Sequence, residues 1–81
     1  MYLHLGQDTI VMTDRIIGVF DLDNSTVSKA TREFLAKAQR ECRVVEVSTE
    51  LPKSFIVCED AGVEMVYLSQ MSPATLLRRA R

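Results

Sequence analysis

Glycine and proline are scarce, three and two among 81 residues, which excludes a low-complexity chain. Two cysteines are too few for a disulfide scaffold, and Cys42 and Cys58 match no CxxC or Cys/His metal spacing. The single histidine, His4, has no nearby catalytic partner in the sequence, and Gly6, Gly18 and Gly62 are too scattered for a phosphate loop or a nucleophile elbow. No apolar run approaches the ~18 residues of a membrane span. Met1–Leu5 lacks the basic and long apolar stretches of a secretory leader. These absences predict a cytoplasmic protein with no membrane partner, no metal, no cofactor and no small-molecule substrate. No catalytic assignment survives them.

What is present is apolar. Hydrophobic residues make up 47% and charged ones 26%, with mean hydropathy +0.04. A chain of this length folds as one domain, residues 1–81, and hides only ~60–65% of its unfolded surface. That is more apolar material than a lone small globule buries comfortably, so a homo-oligomer is expected.

Charge is nearly balanced, at −1 overall with a pI near 5.7, but it is unevenly spread. Residues 1–28 set Arg15 against Asp8, Asp14, Asp21 and Asp23, and residues 42–70 are likewise acidic. Residues 29–41 carry Lys29, Arg32, Lys37 and Arg40 against two glutamates, and the C-terminus holds Arg78, Arg79 and Arg81 without an acid. The whole chain is therefore a poor match to nucleic acid, which needs Lys and Arg against phosphates. DNA binding would require a local patch.

The pattern predicts an α+β domain in the order βββαβββα, built on a small antiparallel sheet. Tyr2–Leu5, Thr9–Met12 and Ile16–Leu22 read as strands, the last apolar on both alternating sets and so buried on both sides. A helix follows with Val27, Ala30, Thr31, Phe34, Leu35, Ala38 and Cys42 on one face, and Glu33 is placed to pair with Lys37. Arg43–Thr49 switches to β-branched residues, Glu50-Leu51-Pro52 interrupts, and Lys53–Cys58 and Val63–Leu68 complete the strands. Ser72-Pro73 then caps a short terminal helix. Both cysteines lie beside apolar runs and read as small buried hydrophobes.

Two basic residues fall in turns that flank apolar strands. Arg15 is expected in a hairpin turn before Ile16, and Lys53 in a second one after Leu51-Pro52. Charged residues displayed on loops of a rigid scaffold are the usual layout of a binding surface. Solubilising turn residues would look the same.

The ordered set Met1–Gly6, Ile10-Val11, Asp14–Asp21, Leu51–Val57, Tyr67–Ser69 and Ser72–Leu76 resembles the bacterial extracellular matrix regulatory protein family RemA/RemB, closest to its RemB branch. The resemblance implies a regulator of biofilm matrix genes that is ring-like and homo-oligomeric, binds DNA, and has a fold likened to the LytTR domain. It also places Arg15 on a family arginine. Adjacent arginines of the RemA branch correspond to Leu51-Pro52-Lys53 here, which leaves only Lys53 basic, a point charge without a guanidinium fork. The expected DNA-binding residues are thus Arg15 and Lys53. The alternative is the same oligomer acting as a protein-interaction scaffold without DNA.

Overall fold

Two layers pack on opposite faces of one sheet, because its central strand is apolar on both. The computed structural model describes residues 1–6, 8–25 and 28–80. Strands β1 (Tyr2–Gly6), β2 (Thr9–Met12) and β3 (Ile16–Asp21) are followed by the one-turn helix α1 (Leu22–Ser25) and the helix α2 (Lys29–Arg40). Strands β4 (Val44–Glu46), β5 (Ser54–Asp60) and β6 (Val63–Ser69) and the helix α3 (Pro73–Arg79) complete the chain. The α+β class and the six strand positions agree with the sequence pattern. The extra turn α1 departs from the expected order.

The sheet also departs from expectation. It is not one antiparallel sheet: β1 and β2 form a two-stranded hairpin, while the main sheet runs β3-β5-β6-β4 with β4 parallel to β6. The connection from β4 to β5 therefore crosses the end of β6, and Leu51-Pro52-Lys53 lies in that crossing and not in a hairpin turn.

Alternation along β5 fills both layers. Ile56 and Cys58 face Leu3, Leu5, Val11, Val47 and Leu76, on the side of the hairpin and α3. Phe55 and Val57 face Ala38, Phe34 and Leu35 of α2. The Val, Leu, Ile and Phe side chains among them each contribute ~1.5–3 kcal/mol on full burial. Strand β3 behaves differently. It is an edge strand, and its register with β5 shifts between Ile16 and Gly18. This bulge adds one residue, so Ile16 and Val19 share the hairpin side while Ile17 and Phe20 line the α2 side. Ile17 stays 57% exposed and Phe20 40%, so the expected two-sided burial of this strand does not hold within one chain.

Two hydroxyls close the interior. Ser54 Oγ donates to the Met71 carbonyl at 2.7 Å and Ser69 Oγ to the Leu5 carbonyl at 2.6 Å, tying the sheet to the segment before α3 and to the hairpin. Buried polar groups need such partners.

Helix α2 has the expected face, with Ala38 buried and Phe34 and Leu35 half-buried, while Val27 lies outside the described residues. Glu33 pairs with Lys29, at 3.9 Å. Cys42 corrects the sequence reading. It is exposed at φ +58°, with Cys42 N donating to the Gln39 carbonyl and Arg43 N to that of Ala38, at 3.1 and 2.8 Å. Those two bonds make a Schellman cap, whose left-handed position normally holds glycine. Cys58 is buried, as expected. At the other end of the molecule Ser72 caps α3 by accepting from Thr75 N at 3.3 Å, with Pro73 in the first turn.

Candidate nucleic-acid interface

Arg15 ends a single 3-10 turn, Thr13–Arg15, which links the hairpin to the main sheet. It is not a hairpin turn, since β2 pairs with β1 and β3 pairs with β5. Thr13 anchors the turn by donating from its N and Oγ1 to the Met1 carbonyl, at 3.0 and 3.3 Å. Ile16 follows directly opposite Cys58. The guanidinium is therefore carried on fixed backbone.

Arg15 reaches across to the far end of β5, where Nη1 donates to Asp60 Oδ1 at 2.9 Å. Asp14 Oδ1 lies 3.9 Å from Nε. Beside the pair is an open groove of about 220 Å³ whose walls include Met12, Cys58 and Tyr67. Burial pushes the Cys58 thiol up, so it stays protonated and unreactive at neutral pH. Tyr67 is also pushed up, by burial first and then by the neighbouring Cys58 and Asp60. The groove thus presents one cation, a neutral thiol, a neutral phenol and a carboxylate. This is chemistry for holding an anion at Arg15, and the Asp60 carboxylate is the anion the chain itself places there.

Lys53 sits at the opposite end of β5. Its N donates to the Ser69 carbonyl at 2.8 Å and its carbonyl accepts from Leu22 N at 3.0 Å, so its backbone is pinned while its side chain is exposed. Strand rise over the intervening residues separates the two basic positions by roughly 20 Å. One chain does not bring them into a single patch.

The chain matches the RemA-like family, described as extracellular matrix regulatory protein A-like, over residues 2–80. It belongs to that family. It is also 38% identical to extracellular matrix regulatory protein B of Bacillus subtilis (strain 168), across all 81 residues of this chain and 91% of that protein.

Other basic groups of this RemA-like chain are distributed around the two candidates. Helix α2 packs on the Phe55 and Val57 side of the sheet, away from the groove that holds Arg15, but its Lys37 borders a groove with Glu59 and Gly62 at the β5–β6 turn. Helix α3 packs against β1 and β3, and Ala80 shares a groove with Thr13 and Ile16, so the Arg78-Arg79 end lies by the strand that Arg15 leads into. Arg81 lies outside the described residues. Arg43 is engaged, with Nε donating to Glu41 Oε1 at 2.8 Å and Nη1 to the Glu64 carbonyl at 2.9 Å. Among the described residues no group of three His, Cys, Asp or Glu is placed to hold a metal, and no helix is long and apolar enough to cross a membrane.

The residue that sequence reasoning missed is Asp60. It reads as a turn carboxylate, and its partner is 45 positions away. The only signal in the sequence is the Asp-Ala-Gly tip, which predicts a tight turn and hence a fixed carboxylate, but no partner for it.

Proposed function

We propose that this RemA-like chain is a homo-oligomeric, ring-like DNA-binding regulator of extracellular matrix genes, with the LytTR-like fold that the family resemblance implies. Arg15 and Lys53 serve as its phosphate contacts. The single observation that carries the reading is Arg15 itself, an exposed guanidinium on anchored backbone in a chain that matches the family over residues 2–80; the family resemblance implies an arginine there. Such contacts position a protein on a duplex and carry no base code.

The edge strand supports assembly. Ile17 and Phe20 are exposed on one side of β3 and continue into an apolar groove of about 340 Å³ with Phe34, Phe55 and Val57. A contiguous apolar patch on so small a chain is the signature of an interface. Repetition of weak Arg15 and Lys53 sites around the oligomer then raises the effective concentration of each after the first engages.

A specific observation favours the second reading, an oligomeric scaffold for a protein partner. Arg15 is already paired with Asp60, and Leu51-Pro52 offers no guanidinium beside Lys53. A gel-shift titration with long duplex DNA at two salt concentrations separates the two. The regulator binds and weakens steeply with salt, and Arg15→Ala lowers the log-affinity against log-salt slope by about 1 per engaged subunit. Absence of binding at the lower salt, with the oligomer intact by light scattering, selects the scaffold.

A further inference from the structure

We propose that Asp60 is a carboxylate latch on Arg15, occupying the place a DNA phosphate would take, so that binding there exchanges one anion for another. The inference rests on the reading of Arg15 as a phosphate contact. Among the described residues Asp14 and Asp60 lie near the guanidinium, and their geometry differs. Asp60 accepts a hydrogen bond at 2.9 Å, whereas Asp14 stands at 3.9 Å from Nε, beyond hydrogen-bond distance. Only the first is a direct competitor for a donor.

Both partners are held by backbone. Asp60 is the last residue of β5 and sits opposite Val63, closed by Ala61 at φ +53° and Gly62 at φ +81°. Two central residues at positive φ define the mirror-image turn that matches strand twist, and alanine adopts that geometry only under strain. The carboxylate therefore stays at the tip of a tight two-residue turn. Arg15 is fixed from its own side by the Thr13 bonds to Met1 and by the Ile16–Cys58 pairing.

The pair is nonetheless open to exchange. The Arg15 side chain is 47% exposed and that of Asp60 74%, so water reaches both and the pair is weak. A phosphate offers several acceptor oxygens to a planar guanidinium fork, where Asp60 uses one. Once displaced, the carboxylate remains near the incoming phosphate and repels it. Each subunit then holds DNA weakly, and occupancy depends on several subunits engaging together. Asp60 would set how many.

The test is a fluorescence-anisotropy titration of the full chain with a long labelled duplex at two salt concentrations. It compares the unchanged protein, Asp60→Asn and Asp14→Asn, each with and without Arg15→Ala, with light scattering to confirm the assembly. The latch predicts that Asp60→Asn tightens binding about 2–5-fold per engaged subunit. The gain should exceed that of Asp14→Asn and vanish in the Arg15→Ala background. Equal gains from the two asparagine variants, or a gain that survives Arg15→Ala, would show a diffuse charge effect and overturn the latch. If Arg15→Ala weakens binding but Asp60→Asn changes nothing, the latch alone fails. If no assembly binds at the lower salt, Asp60→Asn included, the DNA reading fails and the predicted gain with it.

Discussion

Strands β3 and β5 lie side by side in one sheet, each carry an apolar run, and live in different surroundings. Strand β5 has a neighbour on each edge and a packed layer on each face, and Ser54 to Cys58 are all buried. Strand β3 has one neighbour and a bulge, and it turns Ile17 and Phe20 outward. The Phe20 and Phe55 rings stack across the two strands, with centroids 4.9 Å apart and planes at 19°. One ring of that stack is buried and the other reaches solvent. Position in the sheet, and not the residue types, divides the strand buried within the fold from the strand left partly exposed.

The largest test of this division compares isoleucines. Ile56→Ala in β5 should cost 2–5 kcal/mol, read as a lower urea midpoint at an unchanged slope, because Ile56 is 0% exposed and leaves a cavity. Ile17→Ala in β3 should cost within about 0.5 kcal/mol of chain stability. If Ile17 lies in the interface, Ile17→Asp should shift light scattering toward smaller species. Equal losses at Ile17 and Ile56 would erase the distinction.

A smaller effect is expected at the start of β5. Ser54→Ala removes the donor to the Met71 carbonyl and should cost about 1–3 kcal/mol by thermal or urea unfolding. The opposing β3 residue, Asp21, accepts from Asp23 N at 2.8 Å where water reaches the bond, and Asp21→Ala should cost less.

The middle of β5 predicts a pH dependence. The Cys58 thiol titrates higher in the folded chain than unfolded, so the unfolded chain releases its proton first as pH rises. Its contribution is fully present below the unfolded thiol value of about 8.5 and is lost as pH rises beyond it. Unfolding free energies at pH 8, 9 and 10 should decline, and Cys58→Val should make that decline shallower. A rise in stability over this range would contradict the assigned burial.

The smallest effect lies at the tip of β5 and has the opposite sign. Ala61→Gly relieves the positive φ and should raise stability by about 0.5 kcal/mol, since glycine accepts that conformation but gains freedom when unfolded. The Arg15–Asp60 contact would report any change of turn geometry.

Much of this architecture is local, and the sequence alone determined it. The face of α2 around Phe34, Leu35 and Ala38, the Ser72-Pro73 start of α3, the alternation of Phe55 to Cys58 and the break at Pro52 each depend on neighbours within a few positions. The exposed, basic character of Arg15 and Lys53 was legible for the same reason. Strand partnership was not, because hydrogen-bonding edges look alike in every apolar strand. Hence the parallel β4–β6 pair, the separate hairpin and the edge position of β3 came only from the tertiary structure. Cys42 was misplaced because apolar type outweighed the left-handed geometry a helix end requires. Arg15 meeting Asp60, and Lys53 lying at the other end of the same strand, were likewise decided by the order β3-β5. Periodicity reports which way a side chain points, and only the packed chain decides what it meets.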